Sequence, residues 1–126
     1  MIKRAILAAL AALLVFVMTP AGAAPKAGHP GECRWLWDIA LTARAAAMEG
    51  VPRETVRRVV WRIYGFAPAV PAEDKTRLRE LGNAVVDAAG SAARPQAETA
   101  GDFAGELRTM CLDRDGDMDE ILGMGL

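Results

Sequence analysis

Residues 32–50 read Glu-Cys-Arg-Trp-Leu-Trp-Asp-Ile-Ala-Leu-Thr-Ala-Arg-Ala-Ala-Ala-Met-Glu-Gly, and this stretch decides the fold class. At about 100° per residue on a helical wheel, Arg34, Asp38, Thr42 and Glu49 fall on one narrow polar arc. Nearly everything else is apolar: Trp35, Leu36, Trp37, Ile39, Ala40, Leu41, Ala43, Ala47 and Met48. So wide an apolar arc predicts a central helix over 32–49, or one with apolar surface left for a partner. Gly50 suits the residue just past its end.

Three further segments share the helical period. In 52–64, Val56, Val59, Val60 and Ile63 form a stripe, while Arg53, Arg57, Arg58 and Arg62 cover the other side. In 72–89 the stripe is Leu78, Leu81, Val85 and Ala88, with Glu73 and Asp74 at the positive end of the helix dipole. In 97–112 it is Ala100, Phe103, Ala104, Leu107, Met110 and Cys111. Gly101 and Gly105 weaken this last helix, unless they permit close approach of a neighbour. The linkers are 66–71, with Pro68 and Pro71, and 90–95. No stretch alternates long enough for a strand, so the expected fold is all-α, a small antiparallel bundle of about four helices.

The chain of 126 residues suits one domain. Its start reads as an address. Lys3 and Arg4 precede fourteen unbroken apolar residues, 5–18, and Ala21-Gly22-Ala23 follows. That is the layout of a secretory signal peptide over 1–23, cut after Ala23. A helix of that length reaches only about 21 Å, short of the roughly 30 Å hydrocarbon core. The processed chain is therefore expected to be periplasmic or secreted and not membrane-embedded. Residues 24–31, with Pro25, Gly28, Pro30 and Gly31, read as a flexible leader. The domain proper is then 32–126, with an acidic tail from about 113.

Two cysteines bracket the bundle. Cys33 opens the first helix and Cys111 closes the fourth, which places both at one end of an up-down-up-down arrangement. An oxidising compartment and an even count make a structural disulfide the expectation. A redox-active pair lacks the short spacing such pairs use.

Composition excludes several chemistries. One Ser (Ser91) and one His (His29), both in Gly/Ala/Pro-rich stretches, leave no material for a Ser-His triad. No phosphate loop or nucleophile elbow exists, and the protein is read as a non-enzyme with no required cofactor. A net charge of −1 at pH 7 gives no reason to expect nucleic acid.

Four features remain as candidates. The tail Asp113-Arg114-Asp115-Gly116-Asp117-Met118-Asp119-Glu120 places Asp113, Asp115, Asp117 and Asp119 at alternate positions, like the opening of a calcium loop. The pattern then breaks at Met118, where Gly is needed, and at Met124, where a bidentate acid is needed. The rival reading is capping: Asp117 starts a short last helix, with Glu120 three residues on. Arg44 lies inside the apolar arc, so it snorkels over Trp37, pairs with Asp87 or Glu106, or faces a ligand. The aromatics Trp35, Trp37, Trp61 and Tyr64 are core anchors or a binding patch. The segment bearing Arg57, Arg58 and Arg62 carries a charge of +3, against −4 for 113–120. It forms a solvated face, or a rim that attracts an acidic protein or lipid.

The spacing Cys33…Ala40-x-x-Ala43-Arg44…Glu49-Gly50-Val51…Ile63-Tyr64…Phe103…Leu107…Cys111 resembles a loose group of small bacterial secreted helical proteins with one Cys near each end of the mature chain. The resemblance implies a periplasmic helical domain and no activity. In size and layout the chain is also similar to the small acid-stress periplasmic chaperones. The expected function is a non-enzymatic interaction protein whose partner, a protein or envelope component, is met by Trp35, Trp37 and Trp61 within a rim of Arg57, Arg58 and Arg62. A homodimer through the surplus apolar arc is a further expectation. The alternatives are a divalent-cation module on the acidic tail and an acid-stress holdase.

Overall fold

The computed structural model describes residues 26–28, 30–64 and 72–123. The expected signal peptide, the linker 66–71, His29 and Met124 lie outside the described residues. The helices are α1 (Pro30–Met48), α2 (Arg53–Tyr64), α3 (Ala72–Ala89), α4 (Ala100–Asp113) and a single turn, α5 (Asp119–Leu122). Among the described residues there is no strand. The all-α bundle is the observed architecture, with α1 as its hub: α2, α3 and α4 all pack on it.

The wide apolar arc of α1 explains that position. Leu36, Ile39, Ala40 and Ala43 are buried. They meet Val56 and Val60 of α2, Leu81, Val85 and Ala88 of α3, and Phe103, Ala104 and Leu107 of α4 in one core. Small alanines let four helices converge on one axis with few aromatic side chains between them. Gly50 ends α1 at φ +76°, where Gly50 N–H donates to Ala47 O (3.0 Å) and Val51 N–H to Ala46 O (3.1 Å). This left-handed stop satisfies carbonyls that the helix leaves open. Thr99 starts α4 by accepting the Asp102 amide at 3.0 Å, three residues later than the periodicity suggested.

Cys33 and Cys111 form a disulfide with Cα atoms 5.7 Å apart. It fastens the start of α1 to the end of α4. In α5, Ile121 and Leu122 fold back, and with Met118 they are buried. No helix among the described residues is long and apolar enough to cross a membrane.

Two expectations are corrected. Residues 26–28 of the leader are held, not loose. Ala27 is buried and its N–H donates to Gly116 O at 3.1 Å. Gly28 N–H donates to Glu32 Oε1, and Arg77 bonds both Lys26 O and the Glu32 carboxylate. The Gly116 hydrogen explains the contact, since a Cβ there would stand 2.1 Å from Ala27 O. Gly101 and Gly105 do not admit a neighbouring helix. A Cβ on Gly105 would meet nothing within 4 Å, and one on Gly101 only the Thr99 hydroxyl at 3.9 Å. The glycine that does admit a neighbour is Gly82, where a Cβ would lie 3.1 Å from the Trp61 ring.

Candidate docking surface on α2

Helix α2 is rich in β-branched residues, which are poor helix formers in isolation. Its packing holds it. Val56 and Val60 enter the core. The Trp61 ring lies against Gly82 and near Trp35, with ring centroids 6.2 Å apart. Three polar handles fix the aromatics. Trp61 Nε1 donates to Asn83 Oδ1 (2.9 Å), Trp35 Nε1 donates to Tyr64 O (2.9 Å), and the hydroxyls of Tyr64 and Thr42 share a bond of 2.8 Å. Arg57 hydrogen-bonds Asp87, and Arg53 Nε lies 3.7 Å from the same carboxylate.

These contacts roll α2 about its axis relative to the expected stripe. Burial centres on Val56, Val60, Trp61 and Tyr64. Val59 and Ile63, expected inside, are 42% and 58% exposed. The reason is the aromatic pair: seating Trp61 and Tyr64 against α1 and α3 turns the Val59–Ile63 edge to solvent. Arg58 and Arg62, also exposed, stand beside that edge with no ion pair among the described residues. The outward face of α2 is thus two aliphatic side chains one turn apart, next to two unpaired cations one turn apart.

The other candidates are placed differently. Trp35 is buried at 7% exposure, so it anchors the core and offers nothing to a partner. Trp37 is half-buried on the α4 side, under the Arg108 guanidinium at 5.9 Å from its centroid. The three tryptophans therefore do not form one surface. Of the expected rim, Arg58 and Arg62 face outward, while Arg57 is turned toward Asp87 and its Nε is buried without a partner among the described residues.

Arg44 neither snorkels nor pairs with Asp87 or Glu106. It is 6% exposed and donates to Ala89 O (2.8 Å), Pro95 O (2.7 Å) and Glu98 O (3.2 Å). Asp87 is taken by Arg57, and Glu106 accepts from Arg94. The acid beside Arg44 is Glu98, 3.8 Å away. Arg94, within the expected linker 90–95, is buried between the Glu98 carboxylate (2.6 and 2.7 Å) and the Phe103 ring (4.7 Å). The i, i+4 spacing of Arg94 and Glu98 was the available signal. The hydrogen bond from Arg94 holds the Glu98 carboxyl below its ordinary value, against the opposing effect of burial. A cleft of about 490 Å³ opens beside Arg44 and Arg94. Arg44 places all three of its nitrogens on carbonyls, and Arg94 places Nε and one Nη on Glu98 and Glu106, so most of their donors beside the cleft are engaged by the protein.

In the tail, the Asp117 side chain accepts the Asp119 amide at 3.1 Å, and Lys26 lies 4.0 Å from its other oxygen. That is a turn just ahead of α5 and not the expected cap: the residue before the helix is Met118, with no side-chain cap, and the Glu120 carboxylate accepts from Arg114 at 2.7 Å. Asp113, Asp115 and Asp119 are exposed, and among the described residues no three His, Cys, Asp or Glu side chains converge as metal ligands.

No family model, curated protein or solved structure matches this chain. The functional reading therefore rests on the geometry of α2.

Proposed function

We propose that this chain is a non-enzymatic secreted interaction protein that docks through the outward face of α2. One observation carries the reading: Val59 and Ile63 stay exposed beside Arg58 and Arg62, which have no ion pair among the described residues, on a helix that seats Val56, Val60, Trp61 and Tyr64 on its other side. Exposed aliphatic side chains forgo burial worth about 0.8 kcal/mol per methylene. Their retention on a rigidly seated helix favours a contact role. The basic start of the chain with its apolar run supports export, and the Cys33–Cys111 bridge suits an oxidising compartment.

A photoreactive side chain at Ile63 tests the reading in the native host. Adducts are expected from Ile63 and not from Thr109, an exposed site on α4. An Ile63 probe that reacts only with water removes the proposal.

A further inference from the structure

We infer that the outward face of α2 docks on an anionic phospholipid surface, a step that rests on the docking reading above. On the wheel, Arg58, Arg62, Thr55, Val59 and Ile63 fill a continuous arc of about 140°. The one acid of the helix, Glu54, is exposed and falls outside this arc, about 40° beyond Arg58 and one turn before it. A helix face that mixes cations with aliphatic side chains, its only acid at the N-terminal edge, fits a lipid interface. The aliphatic groups enter below the headgroups and the cations stay with the phosphates. Every basic residue of α2 is Arg, whose planar fork matches phosphate oxygens two at a time.

The other occupants fit less well. A two-fold pairing of α2 with its copy would set Arg58 and Arg62 close to the same cations, a like-charge contact. Two aliphatic side chains also fall far short of the roughly 1,000 Å² that a stable protein interface buries. A lipid surface needs no shaped recess and repeats its phosphates indefinitely. The full chain carries a net charge of −1 and residues 24–126 carry −3, so the attraction is local to α2 and screened by salt.

The test is co-sedimentation of the oxidised protein, recovered from its host with its N-terminus read by mass spectrometry. The vesicles are phosphatidylglycerol with phosphatidylethanolamine, against phosphatidylcholine alone. Binding is expected to the anionic vesicles only. It should weaken at least roughly tenfold in high salt and in Arg58→Glu with Arg62→Glu. Val59→Ser with Ile63→Ser should weaken it too, since the aliphatic groups no longer insert. All four positions are exposed, so circular dichroism should be unchanged and a lost signal is not unfolding. Equal binding to neutral vesicles, no binding, or indifference to both double variants overturns the inference. If vesicles fail while Ile63 crosslinks to a protein, the docking surface stands and the lipid does not. If both fail, both readings fall.

Discussion

Arg44 is buried without a private counter-ion, and the chain supplies oxygens instead. Its three nitrogens reach carbonyls 45 to 54 residues further along, all in or beside the α3–α4 connection. Glu98 then serves two arginines, bonding Arg94 directly and lying near Arg44. Glu98→Gln removes the charge that both guanidinium groups face. It should cost about 2–3 kcal/mol in urea unfolding near neutral pH. The sign of the pH dependence follows from the lowered folded-state acidity of Glu98, due first to the Arg94 hydrogen bond. The stabilisation is present above the ordinary carboxylate value of 4.5 and is lost as pH falls through the depressed one. The gap between wild type and Glu98→Gln should therefore narrow as the solution is acidified. A gap that stays constant down to about pH 3 would remove the pairing as its source. The sequence showed Arg44 as anomalous because a charge sat in an apolar arc. It could not show the partners, since no local spacing relates residue 44 to residues 89, 95 and 98.

At the scale of elements, the periodicity located all four long helices, because Ala, Leu and Val recur at helical spacing and Gly or Pro stops them. The rotation of α2 was not legible. Val59 and Ile63 complete an apolar stripe as well as Trp61 and Tyr64 complete another, and only the shapes of α1 and α3 choose between them. Gly82 is the part of α3 that makes the choice possible, and it contrasts with Gly105 in α4. Gly105→Ala adds a methyl into open space and should stabilise the protein by about 0.5–1 kcal/mol. Gly82→Ala gains the same helix propensity but drives a Cβ to 3.1 Å from the Trp61 ring. The ring is held by Trp35 and Asn83 and has little room to yield. Gly82→Ala should be net destabilising, by about 1–3 kcal/mol. Thermal melts of the two variants should move in opposite directions. If Gly82→Ala melts higher, the tight seating of Trp61, and with it the fixed outward aim of Val59 and Ile63, is wrong.

The whole molecule is closed at one end by four ties that meet within a few residues of each other. The disulfide joins α1 to α4. Gly116 N–H bonds Cys111 O at 2.8 Å, which turns the chain sharply after α4. Ala27 then lays its amide on Gly116 O, and Arg77 clamps Lys26 O and Glu32 from α3. The cysteine pairing was legible, because helix count and chain direction put both residues at the same end. The docked leader was not, since Gly and Pro around it read as loose chain and its partner is a glycine with φ +85°. The bridge spans a sequence separation of 78, and closing such a loop is worth about 4–5 kcal/mol on the chain-entropy model. A domain of this size holds roughly 5–15 kcal/mol in all. Cys33→Ser with Cys111→Ser should lower the melting temperature by on the order of 20 °C. The loss should begin at the closed end. Hydrogen exchange at the amides of Ala27, Gly116 and Leu122 should quicken first, while Ile39 and Leu81 in the middle of the bundle keep protection near the global limit. Uniform loss across the bundle would mean that the bridge acts only on the unfolded chain. Unchanged melting would mean that the ion-paired leader and the core carry the fold without it.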